Sequence, residues 1–313
     1  MQKTLVLLSL IFLAFGCGLS KEEEVDDAIS QAHRLLSANK CAEAIAVLNG
    51  VGQQTSNADW LGVYADAQAC LAPWSVVSFF ATDLPNMSTS QSAIIGSLAT
   101  FQQAVMTSPS DGAYTNLRAG MNTLLYAGGL TQVSHSNRVS ALGLIDANNI
   151  GVHALYMMIN QIGQFSRYYG NALATTGVKG SGGGSECYIN YTDLDAQTIV
   201  GAYPAANNCN SIVLGHAQLT GNRARLCDGI VLFNNFLDVI GNIAIGDTGN
   251  NGGLDELATN IGDLCAAAAG GGLDLGGTCT VKTHSVCLND TNGDISAAQI
   301  ERFYAVTWEA MHQ

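Results

Sequence analysis

The chain has 313 residues, of which 48% are hydrophobic and only 12% charged, about half the charged share usual in globular proteins. Twelve Lys and Arg against 25 Asp and Glu leave a formal charge of −13, which argues against nucleic acid or an anionic lipid face as the main partner. A basic partner or cations remain compatible, and the sparse charge implies a surface made mainly of Asn, Gln, Ser, Thr and Gly.

Lys3 is followed by an apolar run, Leu5 to Phe15, of 11 residues, too short for the roughly 20 residues that cross a bilayer. It then meets Gly16 and Cys17. A basic start, a short apolar core and a small residue before a cut are the parts of a secretory signal. With Leu13-Ala14-Phe15-Gly16-Cys17 at its end, the segment resembles a bacterial lipobox, although Ala14 stands where that pattern usually has leucine. The resemblance implies cleavage before Cys17, a lipid on its thiol and, with no aspartate after it, sorting to an outer membrane facing the periplasm. Residues 1–16 would be the signal and 17–24 a lipidated cysteine with a polar tether ending in Glu22, Glu23 and Glu24. Removing 16 residues leaves 297, enough for one large or two smaller domains. No mature stretch is an unbroken apolar run of spanning length.

Cys41, Cys70, Cys187, Cys209, Cys227, Cys265, Cys279 and Cys287 remain after Cys17. An even number in an exported chain reads as four disulfides. None forms a Cys-x-x-Cys pair, and no histidine stands beside one at metal-ligand spacing.

From residue 25 the periodicity is helical. Ala28, Ala32, Leu35 and Leu36 form one face, Cys41, Ala44, Ile45 and Leu48 a second, and Trp60, Leu61, Tyr64, Ala65, Gln68 and Leu71 a third, with Asn57 as its cap. Ala32-His33-Arg34-Leu35-Leu36, Cys41 to Leu48, and Ala65 to Ala72 resemble about one and a half tetratricopeptide repeats. Ala32 and Ala67 are 35 residues apart, near the roughly 34-residue period of that family. The resemblance implies closely paired helices and a concave protein-binding surface. A generic Ala-rich hairpin would give the same pattern. Cys41 and Cys70 lie on helices that such a hairpin packs together, so they are expected to pair.

Val76, Val77, Phe79 and Phe80 predict a short helix, Ile94 to Val105 another, and Tyr114 to Leu125 a third capped by Asp111. A long helical stretch from Ser136 to about Tyr169 is expected to break near Asn148-Asn149. Gly177 to Ser185 is Gly/Ser-rich and reads as a linker or loop between a helical region, 25–176, and a disulfide-rich helical region, 186–313. A phosphate-binding loop would need a preceding strand and a Gly-x-x-x-x-Gly-Lys-Ser/Thr signature, and neither is there. Beyond it, a helix is expected from Ser211 to Ile245, another from Leu254 to Ala269, and a small strand hairpin from Thr278 to Cys287. A last helix opens with the capping box Ser296-x-x-Gln299. The fold class expected is all-α.

Asp290, Asn292 and Asp294 place oxygens at alternate positions before a helix. They resemble the opening of an EF-hand or dockerin loop, which implies calcium. The glycine after Asp294 is missing and the loop is short, so Glu301 falls beyond reach. A turn with a helix cap accounts for the same residues. Asp247, Asp255 and Glu256 form a second acidic loop that capping explains equally well. Gly-x-Ser-x-Gly, His-Glu-x-x-His and Cys-His pairs are absent. His33, His135, His153, His216, His284 and His312 are scattered. The expectation is a non-enzymatic, lipid-anchored adaptor or scaffold. The alternative is a small-molecule or calcium-binding accessory of a transport system, and clustered His, Asp or Glu in one cleft would point to an enzyme instead.

Overall fold

The computed structural model describes residues 20–83, 85, 98–101, 104–179, 186–203, 209, 211–242, 265–266, 268, 270–289 and 293–312. Cys17, the Ile94–Ile95 stretch, the acidic loop with Asp247, Asp255 and Glu256, and the calcium candidates Asp290 and Asn292 lie outside them.

The chain is all-α. Helix α1, Lys21–Ser37, opens on a capping box in which Ser20 accepts from the Glu23 amide and Glu23 accepts from the Ser20 amide. Glu22, Glu23 and Glu24, expected in the tether, form its first turn, where carboxylates meet the positive end of the helix dipole. Asn39 takes a left-handed conformation, φ 57°, and turns the chain into α2, Cys41–Gly50. Helix α3, Ala58–Leu71, starts where the Asn57 side chain accepts from the Trp60 amide. The Cys41–Cys70 disulfide, Cα–Cα 5.7 Å, closes this hairpin.

After short helical turns at Val76–Ser78 and Phe79–Asp83, α4, Gly112–Leu125, begins at Asp111, whose carboxylate accepts from the Tyr114 amide. Helices α5, His135–Leu142, and α6, Leu144–Gly170, divide at Gly143. The break is therefore not at Asn148-Asn149. Gly143 has φ 87°, a conformation glycine adopts without strain, while Ala147 and Ile150 continue the buried face through the two asparagines.

Helix α6 is the axis of the molecule, buried almost all round from Ala154 to Ser166. A methyl group at Gly163 would overlap the Phe101 carbonyl oxygen, so the missing side chain lets the 98–101 turn seat directly on the helix. Helices α3, α4 and α5 pack on α6, as does α8, Arg223–Ile240. Between lie α7, Leu194–Ala202, and a stretch of turns. The helix expected from Ser211 thus starts twelve residues later, where Asn222 caps it by accepting from the Arg225 amide. The 211–216 backbone is bonded instead to residues 187–191: Cys187 N donates to Leu214 O, Tyr191 N to Ile212 O and His216 N to Cys187 O.

The strand hairpin expected over Thr278–Cys287 is a 3-10 turn, Gly276–Cys279, and a helix, α9, His284–Asn289. Thr278, Val281 and Thr283 are buried, but their stretch is tied to α8 rather than to a strand partner. Asn234 Nδ2 donates to Thr278 O and Val281 O, and Asn235 Nδ2 to Lys282 O. Helix α10, Ala297–Tyr304, carries the expected capping box and runs into tighter and wider turns ending at His312. The only extended pairings among the described residues are the isolated bridges Ala172 with Lys179 and Cys187 with Gly215.

The regions before and after the Gly/Ser-rich stretch share one core, from Val25 to Met311. Its centre is aromatic: Phe165, Tyr188, Phe233 and Tyr304 surround Trp308, which is fully buried. Three more disulfides, Cys187–Cys209, Cys227–Cys287 and Cys265–Cys279, pin the C-terminal half.

Candidate functional site

A groove runs along α1, α3 and the start of α6. One end, about 470 Å³, is lined by His33, Leu36, Asp66, Trp74, Val76 and Val77, among others. The other, about 510 Å³, includes Ile29, His33, Asp59, Asp66, Asp146 and His153. His33 and Asp66 belong to both, so the two cavities adjoin. Helical spacing explains the lining. Ile29, His33 and Leu36 recur at four and three residues on α1, as do Asp59, Gly62 and Asp66 on α3, so each set lies on one face. His153 reaches across from α6 and bonds Asp66 Oδ1 through Nε2 at 2.9 Å. Among the described residues, no lysine or arginine lines either end. Near the lining residues in the chain are exposed apolar side chains: Leu71, Val77 and Phe80 around Trp74, and Leu144 and Ile145 next to Asp146.

No family model matches the chain, and neither the curated proteins nor the solved structures include a match.

The other polar clusters are internal joints. Asp228 on α8 pairs with Arg118 of α4 and with His284 of α9, whose Nε2 is 2.8 Å from the carboxylate and 2.9 Å from Ala224 O. One helical stretch on, Asp238 accepts from the His135 amide and from Lys282 Nζ, each at 2.7 Å, and faces the buried Arg138. Each carboxylate of α8 thereby joins a helix of the first half to the segment after residue 280. The hydrogen bond to Asp228 holds the His284 pKa above that of a free imidazole, against the opposing effect of burial. Its contribution to stability is full below the unfolded pKa and is lost as pH rises through the folded one. His284→Gln should therefore cost more at pH 6 than at pH 8.5 in urea titrations. An equal cost at both would show that the imidazole is neutral throughout.

Lys179, Tyr188, Tyr191, Glu309 and His312 are all buried and bonded to one another. They include acid, base and phenol groups, yet none of the five is more than 2% exposed and none lines the groove. Cys187, Cys209 and Glu309 are the one trio among the described residues with ligand atoms close enough for a metal, but the two sulfurs are bonded to each other and are not thiolates, the form that binds metal.

Of the calcium candidates, Asp294 is described: its carbonyl accepts from the Gly277 amide. Glu301 faces away, accepting from Thr192 N, Thr192 Oγ1 and Asp193 N at 2.5 to 2.7 Å. No described helix is long and apolar enough to cross a membrane. Sequence reasoning found neither the groove nor the joints. His33, Asp66 and His153 come from three helices, and only the matched spacing of His33 with Ile29 and of Asp66 with Asp59 and Gly62 hinted at shared faces.

Proposed function

We propose that the chain is an envelope-anchored lipoprotein, held through Cys17, that acts as a non-enzymatic adaptor and takes a basic protein segment flanked by apolar residues into the groove along α1, α3 and α6. The carrying observation is the lining: Asp59, Asp66 and Asp146 without a lysine or arginine among the described residues, with exposed apolar side chains nearby in the chain. A cationic segment gains from that field, and the apolar flanks give it register. The tetratricopeptide-like pattern of α1 to α3 and the lack of any recognisable catalytic motif support the same reading.

The anchor fits the groove's position. Because α1 starts at Lys21, only Gly18, Leu19 and Ser20 separate it from an acylated Cys17, a reach of roughly 10 Å at full extension. The groove is then presented close to the lipid surface, where a membrane-associated partner would meet it.

Crosslinking on intact membranes, followed by recovery of the chain, should capture a specific partner that an unrelated lipoprotein does not. Asp59→Asn with Asp66→Asn and Asp146→Asn should reduce that capture at least tenfold and remove its dependence on salt, without changing the unfolding midpoint by more than a few degrees. Undiminished capture by the triple variant would place the interface elsewhere.

A further inference from the structure

A second cavity, of about 440 Å³, opens where the end of α6 meets Phe101 and residues 104–106. Its charge is opposite to that of the groove. Arg167 is the one ionic group among the described residues of its lining, and Phe101, Val105, Met106 and Leu173 are the larger apolar side chains beside it. In a chain with 25 acids and 12 bases, arginines rarely lack partners. Arg118, Arg138 and Arg302 face carboxylates, Arg223 is bonded to three carbonyls and Arg225 to Gln218. Arg34 lies exposed on α1. Arg167 is half-buried, its Nε is sealed from solvent without a partner, and the burial itself lowers its pKa. Sealing part of a guanidinium from water without an anion is unfavourable, and none of the described residues pairs with it.

The residue one turn before it adds a second unfilled contact. Gln164 is 2% exposed. Its Nε2 donates to Ala104 O and Ala113 O, which uses both N–H groups and fixes the amide's orientation. Oε1 is left as a buried acceptor with no donor. Tyr168, also in the lining, has its oxygen occupied by Gln218 Nε2 at 2.7 Å, which leaves its O–H free to donate. The cavity therefore offers a planar cation, a hydroxyl donor and one acceptor beside several apolar side chains.

We propose that this cavity binds a small organic carboxylate with an adjacent O–H or N–H donor and an apolar body, of the α-hydroxy or α-amino acid class. The carboxylate lies on the Arg167 guanidinium, where two parallel N–H bonds fit its geometry. The neighbouring donor meets Gln164 Oε1, and the apolar body lies against Phe101, Met106 and Leu173. The volume falls in the range typical of small-molecule sites. The site is independent of the adaptor reading, since it shares no residue with the groove.

Isothermal titration of the full chain with 3-phenyllactate, 3-phenylpropionate and 3-phenyllactamide separates the three contacts. Phenyllactate should bind saturably. Phenylpropionate, without the hydroxyl, should bind about tenfold more weakly, the share expected of one hydrogen bond to a buried acceptor. The uncharged lactamide should show no saturable heat. Arg167→Gln should abolish phenyllactate binding while leaving the unfolding midpoint unchanged or higher, because it removes an unpartnered charge. Arg167→Lys should retain part of the affinity. Phenyllactate binding unaltered by Arg167→Gln, no saturable heat with phenyllactate or phenylpropionate, or equal binding of inorganic phosphate would each overturn the proposal.

Discussion

Glu309→Ala should lower the free energy of unfolding by about 3–5 kcal/mol, the cost of leaving one member of a buried ion pair without the other. Glu309 and Lys179 have side chains 0% and 1% exposed, with Nζ 2.6 Å from Oε2. The second carboxylate oxygen accepts from the Tyr188 amide at 2.8 Å and the Tyr191 hydroxyl at 3.1 Å. Lys179 also donates to Glu186 O and lies 4.8 Å over the Tyr188 ring. Without the carboxylate, the ammonium keeps one carbonyl and a ring face, too little to offset its dehydration, and two further donors are stranded. Lys179→Met with Glu309→Leu removes both charges and fills similar volume, so it should be far less damaging than either single change. Urea unfolding of the single and double variants measures this directly. A Glu309→Ala cost below about 1 kcal/mol would show that water enters the cluster and the pair is not buried in solution.

This cluster also shows what the sequence could and could not carry. Asn57, Asp111 and Ser296 were identifiable as caps because a cap acts within three residues of itself. The faces of α1 and α2 were legible because burial follows a period of 3.6, whereas on α3 Val63, Ala67 and Ala69 are buried too and Leu71, expected on the inner face, is exposed. The all-α class followed from the same local signals. Lys179 stood inside a segment whose composition, Gly177 to Ser185, speaks only of flexibility, and nothing near it announces a partner at Glu309. Asp228, Asn234, Asn235 and Asp238 are polar residues on α8, and polar residues on a helix ordinarily face water. Here Asn234 and Asn235 hold three main-chain carbonyls and the two aspartates hold four basic side chains. The asparagine bonds serve the backbone of the Thr278–Cys287 stretch, which forms turns and a helix in place of the expected hairpin. An asparagine side chain can satisfy the backbone that a second strand would otherwise have served. The groove and the Arg167 cavity were equally out of reach. Each depends on which helices come together, and cavities have no local signature.

Between pH 6.5 and pH 4 the protein should lose stability steeply, and His312 should account for a large part of the loss. Its ring is fully buried and its pKa is pushed down to about 3, first by burial and then by the charge of Lys179. Gly177 O can only accept, so the Nδ1 at 2.7 Å carries the proton. Nε2 is then the acceptor for the Tyr188 hydroxyl, also at 2.7 Å. Protonating Nε2 would put two donors face to face beside an ammonium. The unfolded imidazole takes its proton near pH 6.5, so below that the unfolded chain binds a proton that the native chain refuses. Stability from this group is complete above pH 6.5 and drains as pH falls toward 3, by up to roughly 4–5 kcal/mol at about 1.36 kcal/mol per unit of pKa difference. The burial-lowered pKa values of His135 and His216 act in the same direction, whereas His284 opposes them. Comparison with His312→Gln isolates the one ring, because glutamine can donate to Gly177 O and accept from Tyr188 without titrating. The variant should be less stable than the natural protein at pH 7.5 and should close or reverse that gap by pH 4. Parallel stability curves for the two proteins across this range would show that His312 does not titrate differently in the folded and unfolded chains, and would remove the buried C-terminal cluster as a source of acid sensitivity.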